Sequence, residues 1–363
     1  MSDTELLKIA DCFAIDGTPL TAAPYGSGHI CRTYLITTDK SKYILQRMNE
    51  NAFKDIDGLM QNIALVSEHL SKKAADRREV MHLVNLKNGS PYLRNKEGCW
   101  RVYEYAEDTL CLQSPESADD FYESAVGFGR FSQLLADFPA DRLIETIPNF
   151  HNTPDRYRIF RNVLQKDVKN RAKDVKEEID AYLSYENEVS LLHNLRLTGK
   201  LPTRVTHNDT KLNNVLLDAA TRKALCVIDL DTVMPGLSLY DYGDAIRFGA
   251  SGADESEKDL SKVTLNTEYF KAFTRGYLAA CPGLTDDEIR LMPLGAKTMT
   301  VECGLRFLTD YLDGDNYFAI SYPTQNLDRC RTQLKLANEM TRLEGTLNAI
   351  VEEIKKDTVN RVF

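Results

Sequence analysis

A polar segment between two short apolar runs carries side chains whose types and spacing suit phosphoryl transfer. The segment reads T-H-N-D-T-K-L-N-N and ends at Asn214, and a second carboxylate, Asp229, follows the next apolar run. A carboxylate can accept a hydroxyl proton, a lysine can neutralise phosphate charge, and amide and carboxylate oxygens are ligands that Mg²⁺ prefers. We therefore predict Asp209 as the base and Lys211 as a phosphate contact. Asn214 and Asp229 are the predicted Mg²⁺ ligands.

Two short strands must hold these side chains. Val215 to Leu217 and Leu225 to Ile228 are β-prone runs, and the polar stretch between them has the composition of a hairpin turn. Asn214 and Asp229 would then lie at neighbouring strand ends. The spacing His-x-Asp-x-Lys-x-x-Asn, followed by a strand that ends in Asp, is the pattern of a kinase catalytic loop. The alternative is that these are ordinary turn residues, but both the spacing and the flanking strands favour the kinase pattern.

A glycine-containing turn precedes a predicted pair of strands near the start of the chain. Gly26, Ser27 and Gly28 come before β-prone runs at 33–37 and 43–48. Glycines at such a turn let the backbone approach phosphate oxygens, so this turn is a candidate ATP-binding loop. His29 follows directly and is a candidate substrate ligand, with an ordinary surface histidine as the alternative.

The second of these strands lacks the lysine that kinases place there. Gln46 and Arg47 occupy the position, and Glu68 lies on an amphipathic helix predicted for residues 57–73. Either Arg47 takes over the phosphate contact, or the site relies on loop amides and the metal ion. Solvent-exposed positions are the default expectation for both Arg47 and Glu68.

The run at 99–105 predicts another strand, after which the chain becomes mainly helical. In a kinase-like layout the backbone of Glu104 and Tyr105 would bind adenine. We predict an α+β, bilobal protein-kinase-like fold. Residues 1–105 would form a nucleotide-binding lobe with a small antiparallel sheet and a helix, and residues 106–363 a larger, mainly helical catalytic and substrate-binding lobe.

Several features of the later chain carry local predictions. Met234-Pro235-Gly236 has turn composition, and Thr285 opens a capping-box pattern. Asp241 and Asp244 are most simply explained as helix caps. The run at 327–356 predicts one terminal helix covering the helical lobe.

One further side chain is a candidate for the substrate site, and one helix face carries a charge ladder. Phe248 is close in sequence to the metal loop and could form a wall of the substrate site. Glu302, Arg306 and Asp310 are spaced four apart on one predicted helix face. Such ladders are typical of solvent-exposed ion pairs, which contribute a few tenths of a kcal/mol.

Composition limits the class of protein. The chain has 363 residues, 43% hydrophobic residues and a formal net charge of −9. This length suits two lobes, and the negative charge disfavours a nucleic-acid partner. No apolar run is long enough to span a bilayer and the first residues do not resemble a signal peptide, so we expect a soluble cytoplasmic protein. The eight cysteines contain no CxxC pair, which favours buried, reduced thiols.

Several blocks of the sequence resemble the superfamily of aminoglycoside phosphotransferases and choline kinases. They include R-V-T-H-N-D-T-K-L-N-N, V-I-D-L-D-T-V-M-P-G and E-C-G-L-R-F-L-T-D-Y-L, and such blocks extend over about residues 25–312. Within that superfamily the chain looks most like the bacterial N-acetylhexosamine 1-kinases. The resemblance implies ATP-dependent, Mg²⁺-dependent phosphorylation of the anomeric hydroxyl of N-acetylglucosamine or N-acetylgalactosamine. It also places His29, Phe248 and Arg306 at the sugar.

Other acceptors and one other class of protein stay open at this point. A kinase of the same fold could act on an aminoglycoside, choline or homoserine. An aminoglycoside site should be acidic and a choline site should be an aromatic cage, whereas Arg306 and His29 at the acceptor would repel polycations. A nucleotide-binding pseudokinase is the third alternative, but it would have no chemical need for Asp209, Asn214 and Asp229 together.

Overall fold

The computed structural model describes residues 1–26 and 31–360, which belong to two compact units. The first unit comprises Met1–Leu110, Asp137–Pro148 and Leu216–Met234, and the second comprises Cys111–Ala136, Asn149–Val215 and Pro235–Phe363. The fold is α+β, with an antiparallel sheet in the N-terminal part and mostly helices in the C-terminal part, as predicted. A division into lobes directly after residue 105 stays a prediction.

The strands are short and the helices dominate the second half of the chain. The strands are β1 (Pro19–Pro24), β2 (Arg32–Thr38), β3 (Lys42–Arg47), β4 (Leu83–Val84), β5 (Leu93–Asn95), β6 (Gly98–Glu104), β7 (Thr109–Cys111), β8 (Arg204–Thr206), β9 (Val215–Asp218), β10 (Ala224–Val227) and β11 (Met234–Gly236). The α-helices are α1 (Asp3–Ala10), α2 (Ile56–Ser71), α3 (Ala118–Leu134), α4 (Thr153–Lys166), α5 (Lys176–Val189), α6 (Leu191–Leu197), α7 (Ser238–Gly249), α8 (Thr267–Ala280), α9 (Asp286–Arg290), α10 (Met292–Asp313), α11 (Gln325–Arg342) and α12 (Glu344–Asn360).

The first unit is built on an antiparallel sheet in the order β1-β2-β3-β6-β4, with β5 also pairing β6. Side chains alternate across a strand, so Tyr43 and Leu45 point to the same face and join a core with residues of α1. Gln46 points to the opposite face and lies opposite Arg101 in the β3–β6 ladder. This register decides which polar side chains meet on the face away from α1.

A three-stranded sheet in the order β10-β9-β7 contains the predicted hairpin. Asp218 closes its turn, because its Oδ1 accepts from the Ala220 and Thr221 N–H groups at 3.2 and 3.0 Å. Arg222 adopts a left-handed conformation with φ 55°, which completes the reversal. The hairpin prediction is therefore confirmed.

The second unit is organised around α10, which packs against α4, α5, α7 and α11. Its core joins Tyr157, Tyr182 and Leu305 to other buried residues of these helices. A second helical contact is formed by α3 and α8. Small residues allow the closest approaches: a Cβ atom added to Gly243 of α7 would lie 2.3 Å from the carbonyl oxygen of Gly295 in α10.

Some local predictions need correction. The capping box at Thr285 is confirmed. The expected turn Met234-Pro235-Gly236 is instead strand β11, which pairs with β8. The single terminal helix expected for 327–356 is two helices, α11 and α12, which are interrupted at Leu343.

The cysteine prediction is correct for only part of the set. All eight cysteines are free thiols, and Cys99, Cys226, Cys281 and Cys330 are buried. Cys12 and Cys111 are exposed, contrary to the expectation. Over the described part of the chain, none of the helices combines the length and the apolar character needed to cross a bilayer.

Candidate active site

Asp209, Lys211 and Asn214 lie together in the loop between β8 and β9. The Lys211 Nζ is 2.8 Å from Asp209 Oδ1. Asn214 Nδ2 donates to Asp209 Oδ2 at 3.2 Å and to the Asp209 carbonyl at 2.7 Å. Because each carboxylate oxygen has its own partner, the Asp209 carboxylate is held in one orientation. Its side chain remains 22% exposed, so a ligand can reach it.

The charge of Lys211 is secured by its neighbour. Burial alone would lower the pKa of the Lys211 ammonium group, but the negative charge of Asp209 and their hydrogen bond outweigh it and raise the pKa. Lys211 is therefore a cation at neutral pH. This is the state that a phosphate contact requires.

Two buried carboxylates of α7 hold the backbone of this loop. Asp241 accepts from the N–H groups of His207 and Asn208 at 2.8 and 2.7 Å. Asp244 accepts from the Thr210 N–H at 3.1 Å. Both aspartates lie inside α7, so the prediction that they cap a helix is wrong. They are anchors for the loop that carries Asp209, a role that sequence reasoning missed.

The two anchors differ in their ionisation. Burial raises the pKa of Asp241 to about 6, although the charge of His207 and the N–H donors of His207 and Asn208 act in the opposite direction. Burial would also raise the pKa of Asp244, but the positive charges of Arg247 and Lys211 outweigh it and lower the pKa. Asp241 is thus the anchor that titrates closest to neutral pH.

His207 belongs to the core of the second unit. Its side chain is buried and packs edge-on against Phe128 and Phe131, with ring centroids 5.5 and 5.9 Å apart. The ring therefore contributes to packing behind the loop.

A second buried histidine, His151, contacts the loop that carries Asp209, because its Nε2 lies 3.4 Å from the Asn208 carbonyl oxygen. His151 Nδ1 is 2.8 Å from Glu302 Oε1, and Thr153 Oγ1 donates to Glu302 Oε2 at 2.7 Å. Burial would raise the pKa of Glu302, but the charge of His151 and its hydrogen bond outweigh it and lower the pKa. Glu302 is 1% exposed, so the expectation of a solvent-exposed Glu302 is wrong. Its neighbours come from other helices and loops that sequence spacing cannot reveal.

The other two members of the expected ladder also have separate partners. Asp310 accepts from the N–H groups of Asn316, Tyr317 and Phe318 at 2.8, 2.8 and 2.9 Å. Arg306 is one helical turn away and its guanidinium lies 5.8 Å from the ring centre of Tyr317 and 5.4 Å from that of Phe318. Asp310 thus fixes a loop whose aromatic side chains hold Arg306.

Arg306 contributes a positive charge to this corner of the second unit. Its guanidinium also lies 5.8 Å from the Phe150 ring centre, and within the described chain no carboxylate is paired with it. Burial, followed by the charge of Arg306, lowers the pKa of nearby Arg156. Phe248 is a partly buried residue of α7. The substrate roles of Phe248 and Arg306 stay predictions.

Asp229 follows β10 in the first unit and adopts a left-handed backbone with φ 61° and ψ 59°. A non-glycine residue in this conformation is uncommon, and such residues concentrate at functional sites. Asn214 lies in the second unit and uses its NH₂ group on Asp209, which turns its amide oxygen away from Asp209. One amide and one carboxylate suit Mg²⁺, which keeps water and phosphate ligands. That both bind one ion stays a prediction.

A closed metal cage is absent from the residues that the structure describes, since no group of three His, Cys, Asp or Glu side chains is placed to hold a metal ion.

Gln46 and Arg47, at the strand position where kinases carry lysine, point to opposite faces of the sheet. Arg47 points to the face of the sheet that also carries Trp100, and its guanidinium lies 6.0 Å from the Trp100 ring centre. Gln46 points to the other face and accepts from Arg101 Nε at 3.0 Å. Arg101 is the cation on the Gln46 face, and sequence reasoning missed it. A charged residue in the apolar run C-W-R-V-Y was the signal, because a buried charge requires a partner.

The predicted adenine contacts lie at the end of β6. The Glu104 carboxylate pairs with Arg77, and the Tyr105 N–H donates to the Lys42 carbonyl at 3.2 Å. The Tyr105 ring stands edge-on to Tyr25, with centroids 5.8 Å apart. Gly26, next to Tyr25, has φ 74°, and no atom of the described residues lies within 4 Å of a Cβ added there. The nucleotide roles of Gly26, Arg47, Glu104 and Tyr105 stay predictions.

The rest of the candidate phosphate loop lies outside the described residues. This applies to Ser27, Gly28 and His29.

The sequence profile of the phosphotransferase enzyme family matches residues 21–283. This match covers more than half of the chain and includes the loop with Asp209 and the hairpin that ends at Asp229. The chain belongs to the phosphotransferase enzyme family. Asp209, Lys211 and Asn214 therefore lie in the matched part of a phosphotransferase, whereas Arg306 lies beyond it.

Solved structures with a similar fold include enzymes of this type. An aminoglycoside phosphotransferase from Alicyclobacillus acidocaldarius aligns with a TM-score of 0.64 at 13% identity, covering 95% of this chain and 96% of that one. A spectinomycin phosphotransferase bound to ADP and spectinomycin aligns at 0.60 and 11% identity, covering 94% and 99%. A choline kinase from Cryptosporidium parvum aligns at 0.57 and 13% identity, covering 92% of each. At these identities the likeness shows that the phosphotransferase has their fold.

Proposed function

We propose that this phosphotransferase is an ATP- and Mg²⁺-dependent kinase that phosphorylates the anomeric C1 hydroxyl of an N-acetylhexosamine, either N-acetylglucosamine or N-acetylgalactosamine. The reaction class rests on one observation, the Asp209 carboxylate held between Lys211 and Asn214. The acceptor rests on the sequence resemblance to N-acetylhexosamine 1-kinases and is supported by the positive charge of Arg306.

In the proposed reaction the C1 hydroxyl oxygen attacks the γ-phosphorus of ATP in line. The bond between phosphorus and the bridging oxygen breaks, and ADP leaves. The sugar C–O bond stays intact, so the configuration at C1 is retained. Asp209 orients the hydroxyl and accepts its proton, and its lack of any third partner within the described loop keeps it available.

Charge neutralisation is shared between the protein and the metal. The transition state for phosphoryl transfer is loose, so positioning and electrostatic stabilisation supply most of the rate enhancement. Lys211 is a cation that can contact a phosphate oxygen while it remains close to Asp209. Mg²⁺, bound by Asn214 and Asp229, would neutralise phosphate charge.

The acceptor assignment depends on the corner that contains Arg306. The Arg306 guanidinium lies against three aromatic rings and pairs with no carboxylate of the described residues, so its N–H groups can donate to oxygen atoms of a ligand. Neutral sugars offer such oxygens, and the acetamido carbonyl offers a further acceptor. A polycationic aminoglycoside would be repelled by Arg306 and by neighbouring Arg156. We therefore assign Arg306 to sugar binding, and we assign Phe248 and His29 to it on the sequence resemblance.

The test is an ATP-consumption assay with purified protein and Mg²⁺. The acceptors are N-acetylglucosamine, N-acetylgalactosamine, the parent hexoses, choline, homoserine and kanamycin, and the phosphate position in each product is read by NMR. We expect turnover with N-acetylhexosamines and a phosphate at C1. Turnover with choline or kanamycin alone would overturn the sugar assignment and leave the phosphotransferase assignment intact.

A further inference from the structure

The sheet face that carries Gln46 holds a buried ion pair. Arg101 of β6 and Asp231 are only 1% and 5% exposed, and the Arg101 guanidinium pairs with the Asp231 carboxylate. Arg101 Nε also donates to Gln46 Oε1 at 3.0 Å, and Gln46 Nε2 donates to Thr33 Oγ1 at 3.1 Å. The guanidinium lies 5.2 Å from the ring centre of Tyr103. Gln46 and Tyr103 thus hold the Arg101 guanidinium in the position where it pairs with Asp231.

Asp231 is part of the loop that presents Asp229. It lies two residues further along, in the 3₁₀ turn Leu230–Thr232 that starts directly after Asp229. Its second oxygen, Oδ2, is 3.5 Å from the Cys31 Sγ, which donates to it. Because Asp229 is in a left-handed conformation, its backbone needs support from its surroundings.

Helix α2 supports the same loop through an amide. Asn62 Nδ2 donates to the Val233 carbonyl at 3.1 Å, directly after the 3₁₀ turn. Kinases instead use a glutamate on the corresponding helix to pair a strand lysine. Here Glu68 is exposed and pairs with Lys72 one turn away, and the lysine position holds Gln46. The lysine–glutamate pair is therefore missing, and the buried pair on this face joins the sheet to the Asp229 loop.

We propose that Arg101 is a positioning residue which, through Asp231, fixes the backbone that presents the Asp229 carboxylate to the Mg²⁺–nucleotide complex. This inference rests on the proposed role of Asp229 as a metal ligand. In this role Arg101 acts through Asp231 and not as a ligand of the metal. Arg101 is thus a fixed cation of the sheet in place of the strand lysine, but its partner is Asp231 in the loop that presents Asp229.

The test measures Mg²⁺-dependent nucleotide binding by the full chain, independently of turnover. Calorimetry with a non-hydrolysable ATP analogue, with and without Mg²⁺, gives the factor by which Mg²⁺ tightens binding. We expect Asp231→Asn to reduce this factor about ten- to a hundredfold, the typical effect of removing a group that orients a metal ligand. Affinity for the metal-free analogue should change little. Glu178→Gln is the matched control, because it removes a carboxylate that pairs with Arg331 in the other unit.

A second variant separates positioning from stability. Removing one partner of a buried ion pair can unfold a protein, whereas replacing both by apolar residues is often tolerated. We expect Asp231→Asn to lower Tm. In the double variant Arg101→Met with Asp231→Leu, we expect a Tm close to that of the unsubstituted protein, while the Mg²⁺ factor stays reduced. A Mg²⁺ factor that returns together with Tm, or one unchanged in Asp231→Asn, would overturn the inference. Nucleotide binding to the unsubstituted protein that is indifferent to Mg²⁺ would overturn the proposed function as well.

Discussion

The loop that carries Asp209 and the loop that carries Asp229 are held in different ways. The first is held by its backbone, because the N–H groups of His207, Asn208 and Thr210 donate to Asp241 and Asp244. The second is held through a side chain of its own, since Asp231 pairs with Arg101. A backbone anchor leaves the loop side chains free to exchange partners during a reaction. The geometry of the second loop instead depends on the Arg101–Asp231 ion pair, with the Asn62 amide as a further support at the Val233 carbonyl.

The largest effect is expected at the side chain that the backbone-anchored loop presents. Asp209→Asn removes the proton acceptor but keeps the size of the side chain, so we expect kcat to fall at least about a hundredfold, the lower end of a general-base contribution, with the acceptor KM largely kept. Steady-state kinetics with the best acceptor checks this. Asp286→Asn, at a carboxylate whose side chain is 87% exposed, is the control. Near-normal turnover of Asp209→Asn would remove Asp209 from the mechanism.

A smaller effect is expected when the backbone anchor itself is changed. Asn in place of Asp241 offers one acceptor oxygen where the carboxylate serves two N–H groups, so one N–H loses its partner. We expect stability to fall by about 2–3 kcal/mol, since the lost hydrogen bond involves a buried charge. We also expect kcat to fall about tenfold, equivalent to about 1.4 kcal/mol of transition-state stabilisation. Urea unfolding and kinetics measure the two effects, with Asp287→Asn as an exposed control. An unchanged unfolding midpoint would show that the α7 carboxylate does not hold the loop.

The Asp241 anchor also predicts a pH dependence. The pKa of Asp241 is raised to about 6, so its negative charge is lost as the pH falls through 6. The protonated carboxyl attracts the two N–H groups less, and kcat should decline between pH 7 and pH 5. Because the folded-state pKa lies above the unfolded one, this group's own contribution to stability increases over that fall in pH, and the decline is not unfolding caused by Asp241.

A kinetic profile followed together with circular dichroism tests this dependence. In the Asp241→Asn variant, the part of the kcat decline between pH 7 and pH 5 that comes from the Asp241 carboxyl should disappear. An identical acid decline in both proteins would assign it to another group.

Sequence patterns predicted the local elements of both loops but not what anchors them. The strands around Thr33 and Tyr43 and the hairpin before Asp229 follow from alternation and turn composition, which are local properties. The bond between His207 and Asp241 joins positions 34 apart, and Arg101 meets Asp231 only because of the fold. One sequence contains no signal for which distant polar residues will pair. It contains only the weaker signal that a charge within an apolar run needs some partner.

The smallest effect is expected at the residue that the kinase pattern would make important. Glu68 is exposed, and its pair with Lys72 lies on the helix surface, where solvent and salt screen the charges. Glu68→Gln should therefore leave Tm, nucleotide affinity and the Mg²⁺ factor unchanged, as calorimetry and thermal unfolding can show. Asp231→Asn, measured in parallel, should change the Mg²⁺ factor. Glu68→Gln could instead weaken Mg²⁺-dependent binding as strongly as Asp231→Asn does. That result would mean that α2 acts on the nucleotide through Glu68. The Arg101–Asp231 pair would then not substitute for the missing lysine–glutamate pair.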